Sequence, residues 1–217
     1  MFLGHFALGF AAKRATPGVS LAVLFAAAQL ADLLWPVLLM LGLERVRIDP
    51  GNTAFTPLDF VSYPYSHSLL LLVVWGVAFG LLAGPFMSRA GKVFGVTAAL
   101  VVSHWVLDVL THRPDMPLFP SGPKLGLGLW NSVPATLAVE LVLFAVGLGI
   151  YLRTTRANSV SGRWGLVGLV AVLLVSYLAS LAGPPPAVPI LATTAVAGAL
   201  LLLVWSWWVD RHREVRP

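Results

Sequence analysis

No cysteine occurs in the 217 residues, so disulfides and thiolate metal sites are excluded, and any bound metal must rely on histidine and carboxylate. Charge is scarce too. Asp, Glu, Lys and Arg make up 11% of the chain, against about a quarter in soluble domains. With 58% hydrophobic residues and a mean hydropathy of +0.87, a soluble globular fold is excluded and an integral membrane protein is expected. No barrel-like alternation, internal repeat or low-complexity tract is present, and backbone satisfaction in lipid then leaves helices.

Six apolar runs approach the roughly 20 residues a helix needs to cross hydrocarbon, near 20–42, 68–88, 93–111, 133–152, 164–182 and 188–209. The expected fold is an all-α, six-span membrane domain covering 1–217. A short N-terminal helix (1–14) leads into metal-site helices (15–152) and two scaffold helices (153–217). Residues 2–12 are too short to span, and periodicity leaves open whether they stand upright or lie flat at the interface. Thr16-Pro17 is a helix-start signal for span 1, Asn131-Ser132 caps span 4, and AGPPPA turns span 5 into span 6. Trp205, Trp207 and Trp208 read as an interfacial anchor.

The net charge of +5 does not call for nucleic acid, because the cations lie in the connections between spans. Ten of the fourteen Lys and Arg (13, 14, 89, 92, 153, 156, 163, 211, 213 and 216) fall on one side, which the positive-inside rule makes cytoplasmic, with both termini. An inner (plasma) membrane location is expected. The apolar N-terminal stretch precedes its charges, the reverse of a cleavable signal, so it is expected to be retained.

Ionisable residues inside spans cost several kcal/mol and mark function. Asp32 falls in span 1, His104 and Asp108 in span 3, and Glu140 in span 4. His5, His67 and His112 lie near enough to join them. At about 1.5 Å per helical residue, Asp32, His104 and Asp108 come out level, and Glu140 descends to a comparable depth. Every Lys and Arg lies outside the spans, so three carboxylates meet only imidazoles, the donor set of a divalent metal such as zinc. His112 follows His104 and Asp108 by one more turn and is expected to shape the mouth of the site. Pro36 lacks the N–H that would pair with the Asp32 carbonyl, so a kink is expected there. Ser66, Ser103 and Thr111 are candidates for orienting ligands, although a hydroxyl on a helix more often bonds its own backbone.

The stretch SHWVLDVLTHRPDMPLFP (103–120), with YSHSLL, AQLADLLWP and an early GH upstream, resembles the bacterial inner-membrane metal-dependent hydrolases of the YdjM-like family. That family's SHxxxDxLTxxxxPLxxP motif is matched by Ser103, His104, Asp108, Leu110, Thr111, Pro117, Leu118 and Pro120, and its THSLL motif by Ser66, His67, Ser68, Leu69 and Leu70. Asp32 stands for PDxD, whose second acid is Leu34, and Gly4-His5 for the GH. The family's HRG is here Ser62-Tyr63-Pro64. The order is also similar to that of zinc-dependent phospholipase C. The resemblance implies His5, Asp32, His67, His104 and Asp108 as ligands of one or two zinc ions, and phosphoester hydrolysis.

The expectation is thus a membrane-embedded zinc-dependent hydrolase acting on an ester or phosphoester of a lipid or lipid-linked substrate in the outer half of the bilayer, with Glu140 or Asp32 as general base. Two rivals are a transporter or channel using Asp32, Asp108 and Glu140 as an ion path, and a non-enzymatic protein with a closed structural metal.

Overall fold

The computed structural model describes residues 1–84, 89–181, 183 and 185–216. Most of these are helical. Four helices are long and apolar enough to cross a membrane among the described residues: α6 (Ala90–Thr111), α7 (Val133–Thr154), α8 (Val160–Ala179) and α9 (Val188–Arg211). A fifth span forms if α2 (Leu21–Ala28) and α3 (Leu30–Met40) are counted together, although they meet at 60°. The run expected near 68–88 yields α5 (Leu69–Ala83), of 15 residues, preceded by the single-turn α4 (Pro64–His67). The end of that run, 85–88, lies outside the described residues, as do 182 and 184 of the turn before α9.

The bend in the first span is not at the proline. α3 runs through Pro36, which removes one hydrogen bond, whereas the backbone leaves helical angles at Gln29 (φ −104°, ψ 11°), three residues before Asp32. Nor does Thr16-Pro17 start the helix: α2 is capped by Ser20, whose side chain accepts from the Val23 amide. Ser132 caps α7 as the sequence indicated, accepting from the Ala135 amide.

α1 (Leu3–Ala15) stands inside the bundle rather than on its surface. Phe6 and Phe10 both pack edge-on against Phe25, and Phe10 also meets Phe144 and Tyr151. The approach of α1 to α7 is close: a Cβ on Gly147 would overlap the carbonyl oxygen of Ala7. At the end of α1, the buried Lys13 ammonium donates to Asp210 Oδ2 (2.6 Å) and to the Val19 carbonyl (2.8 Å), while Tyr151 donates to Asp210 Oδ1 (3.0 Å).

Among the described residues, three two-stranded antiparallel ladders qualify the all-α expectation: β1 (Arg45–Ile48) with β2 (Leu58–Ser62), β3 (Met116–Pro117) with β4 (Lys124–Leu125), and β5 (Thr155–Ala157) with β6 (Arg213–Val215). The last sits at the cation-rich end of the bundle. The first two lie at the opposite end, where Asp59 pairs with both Arg47 and Arg113. The first two ladders form because each loop returns on itself and pairs its own backbone groups, whereas the third joins the ends of α7 and α9, far apart in sequence.

Candidate metal centre

His104 and Asp108 are one turn apart on the inner face of α6, and both are buried. The break after α2 leaves carbonyls near its end without helical partners, and that of Ala28 lies 2.8 Å from His104 Nδ1. Since a carbonyl only accepts, Nδ1 carries a proton, and in the neutral imidazole Nε2 keeps its lone pair. That lone pair faces Asp108 Oδ2 at 3.1 Å and Asp32 Oδ1 at 3.8 Å, yet His104 Nε2 has no hydrogen-bond partner.

His67 is oriented by the same logic. Glu44, buried in the loop after α3, accepts at Oε1 from the Tyr65 and Ser66 amides, 2.9 Å each, and at Oε2 from the Ser66 hydroxyl at 2.6 Å. Ser66 Oγ has then given its proton away, so its 2.7 Å contact with His67 Nδ1 is a bond that it accepts. His67 Nε2 is left as a lone pair, 3.6 Å from Asp32 Oδ1 and 3.8 Å from Asp108 Oδ2.

Asp32 Oδ1, His67 Nε2 and His104 Nε2 lie within 4.8 Å of one another and form a group that could hold an ion, with Asp108 Oδ2 beside the two imidazoles. Lone pairs that close repel unless a cation lies among them. Ligands about 2.0–2.2 Å from a tetrahedral zinc ion would be roughly 3.3–3.6 Å apart, and Asp32 Oδ1 lies 3.6 Å from His67 Nε2 and 3.8 Å from His104 Nε2. These buried His and Asp groups could hold a metal ion.

His5 is placed differently. Its ring stacks on that of His104 (centroids 3.6 Å apart, planes within 4°), and its Nε2 contacts Asp108 Oδ1 at 3.0 Å. The Met1 amine also pairs with Asp108 Oδ1. Asp108 thus turns one oxygen to the imidazoles of His67 and His104 and the other to α1. His5, His104 and Asp108 form a second group close enough to hold an ion, with His104 common to both groups.

Glu140 is buried on α7, where its Oε2 accepts from the amides of Phe2 (2.9 Å) and Gly4 (3.3 Å) at the start of α1, while Oε1 has no partner. The interaction suits a carboxylate at a helix N-terminus and leaves one oxygen free. His112 is buried rather than open at a mouth. Its Nδ1 contacts Asp115 Oδ1 (2.9 Å) and its ring packs on Trp130 (4.1 Å), and Tyr63 donates to the same Asp115 oxygen at 2.7 Å. Burial pushes the His112 imidazole below its ordinary pKa although Asp115 opposes this, and burial raises the Tyr63 phenol well above its own. Ser103 and Thr111 bond to backbone carbonyls of their own helix, Ser103 to Leu100 (2.7 Å) and Thr111 to Asp108 (3.3 Å). Of the three hydroxyls only Ser66 acts on a candidate ligand.

Asp32, His67, Asp108, His112 and Glu140 line one side of a cavity of about 570 Å³. The Asp32 side chain is 41% exposed into it, so the donor set is open on that side. Aromatic residues of the first hairpin region and residues of α8 and α9 complete the wall, so the two last helices do more than brace the bundle.

No family model, curated protein or solved structure matches the chain. Glu44, Asp115 and the Ala28 carbonyl were not legible as site residues. Glu44 lies 22 positions before Ser66 in a loop, with no spacing that signals the contact.

Proposed function

We propose that the protein is a membrane-embedded, zinc-dependent hydrolase acting on an ester or phosphoester of a lipid or lipid-linked substrate. The observation that carries this reading is the three-donor group Asp32, His67 and His104, with Asp108 beside it and a cavity open on the Asp32 side. A structural ion would be enclosed by its ligands, whereas a catalytic one keeps an accessible position. The likeness of residues 103–120 to the YdjM-like motif supports the phosphoester class.

Asp32, His67 and His104 would hold the ion and leave a fourth position open, with Asp108 beside them and supported by His5 through its second oxygen. When bound, zinc supplies a Lewis acid for the ester or phosphoryl oxygen and makes a nearby water acidic near neutral pH. Glu140 is the better general base. Its Oε1 has no hydrogen-bond partner, whereas Asp32 is needed for the donor set. Glu140 would take the proton from the attacking water and return it to the leaving alkoxide. The buried His112–Asp115–Tyr63 group ties the loop before α4 to the loop after α6 beside the cavity.

Six crossings fit this assignment, with the bent α2–α3 pair and α5 each counted as a span. The cation-rich end would face the cytoplasm, and the cavity would then open in the outer half of an inner membrane.

The test is metal content of detergent-purified protein, wild type against His104→Ala and Asp108→Ala, followed by turnover on a phospholipid and lipid-ester panel. Stoichiometric zinc in wild type, its loss in both variants, and turnover abolished by Glu140→Gln with metal retained are expected. Wild type without stoichiometric metal overturns the reading.

A further inference from the structure

His112 is held at every polar atom but one. Its amide donates to the Asp108 carbonyl and its carbonyl accepts from the Gly128 amide, 2.7 Å each, which fixes the ring's origin at the end of α6. Its Nδ1 lies 2.9 Å from Asp115 Oδ1, and since a carboxylate only accepts, Nδ1 carries a proton. Asp115 is itself fixed, its Oδ1 accepting from the Tyr63 hydroxyl at 2.7 Å and its Oδ2 lying 3.5 Å from Arg113 Nε. In the neutral ring Nε2 is then a lone pair. It has no hydrogen-bond partner among the described residues, yet unlike His104 Nε2 or Trp130 Nε1 it is not sealed from open space, and His112 lines the cavity of about 570 Å³.

Aromatic rings surround that lone pair. The Trp130 ring lies 4.1 Å from the imidazole and the Phe60 ring 4.9 Å, with Phe55 stacked on Trp130 at 6.3 Å, and all three residues line the same cavity. Its ionisable side chains are the carboxylates of Asp32, Asp108 and Glu140 with His67 and His112, and no Lys or Arg is among them in the described residues. Accepting atoms therefore dominate this end. A ligand that suits it must turn a donor to His112 and C–H surface to the rings. Water supplies only the donor. A bare alkyl group covers the rings but leaves Nε2 without a hydrogen bond, which disfavours its binding. A polyol does both.

We propose that His112 determines substrate specificity, its Nε2 accepting a hydrogen bond from a hydroxyl of the headgroup, so that the substrate is a lipid phosphoester of a polyol such as glycerol. This names the substrate class of the hydrolase reading and rests on that reading for the cleavage, but not for the contact. His112 stands one helical turn, about 5.4 Å, beyond Asp108 on α6, which sets the hydroxyl to one side of the metal centre. Asp115 and Tyr63 are positioning residues, because they act on the substrate only through the imidazole.

The experiment offers the full chain, in neutral detergent micelles, equal amounts of phosphatidylglycerol and phosphatidylpropanol with identical acyl chains. The propanol headgroup keeps the phosphodiester and its charge and lacks the hydroxyls. Native mass spectrometry counts each bound lipid, since their masses differ, and released headgroup reports cleavage in the same samples. Wild type is expected to favour phosphatidylglycerol by about 3–10-fold, the share of one neutral hydrogen bond. His112→Phe keeps a ring against Trp130 but removes the acceptor, and should bring the ratio to near one. His112→Gln, whose amide oxygen can take the place of Nε2, should restore part of the preference. A merely structural His112 would lower the thermal midpoint of both variants and leave the ratio unaltered. Equal binding of the two lipids by wild type, or a preference that survives His112→Phe, overturns the contact. A His112-dependent preference without cleavage of either lipid keeps the contact and removes the hydrolase reading. Cleavage of both lipids at equal rates and with equal binding keeps the hydrolase reading and overturns the contact.

Discussion

His104 donates its Nδ1 proton to the carbonyl oxygen of Ala28 at 2.8 Å, across two helices and 76 residues of sequence. This bond decides which imidazole nitrogen faces Asp32 and Asp108, and so whether the pair is a hydrogen-bonded couple or half of a metal site. It exists because the first span breaks at Gln29 and the end of α2 lies against α6.

Glu44 does for His67 what Ala28 does for His104. Glu44→Gln and Ser66→Ala should each weaken zinc affinity by about 10–100-fold, measured by chelator competition, because partners that orient a ligating histidine typically contribute that much. The melting temperature of the metal-free protein separates this from a loss of fold: a positioning role lowers affinity more than the metal-free midpoint.

Metal stoichiometry should distinguish His67 from His5. His67→Ala removes one of the three donors of its group and is expected to abolish stoichiometric zinc, while His5→Ala should leave one ion per chain, held more weakly. Two ions in wild type that fall to one in His5→Ala would show instead that the stacked His5–His104 pair belongs to a second centre. Chelation should lower the thermal midpoint of wild type and leave that of His67→Ala where it is.

The Lys13–Asp210 pair fastens α1 to α9 with side chains only 6% and 10% exposed. Lys13→Ala leaves a buried carboxylate without its cation and is expected to destabilise by about 3–5 kcal/mol, read from unfolding in detergent. Lys13→Met combined with Asp210→Asn should recover part of that loss. Additive effects in the double variant would show that the pair is not coupled.

Gly147→Ala should also destabilise, by about 1–3 kcal/mol, because the added methyl overlaps the Ala7 carbonyl and must push α1 from α7. Gly149→Ala, whose Cβ meets nothing within 4 Å, is the control and should be neutral. Equal effects at both positions would mean that the close approach of α1 does not matter for stability.

Most of the polar cluster was legible in the sequence because membrane burial makes polarity conspicuous: Asp32, His104, Asp108 and Glu140 interrupt apolar runs, and rise per residue places them at similar depth. Glu44 and Asp115 were not, because acids in polar loops are ordinary until a fold buries them. The Pro36 kink was misplaced for a related reason. Proline marks where a helix loses a bond, but α2 and α3 diverge where their packing partners do, α2 lying against α1, α6 and α9 and α3 mainly against α9.

Composition and periodicity alone determined that this chain is a helical membrane protein and that histidines and carboxylates share its interior, since lipid penalises any unpaired polar group and only helices satisfy the backbone there. Tertiary structure decided the rest. It stood α1 upright so that His5 stacks on His104, turned two imidazole lone pairs to one point through Ala28 and Ser66, and tied Tyr63 to the His112–Asp115 pair beside the cavity. Each of these depends on contacts between residues far apart in sequence, where spacing carries no information about distance.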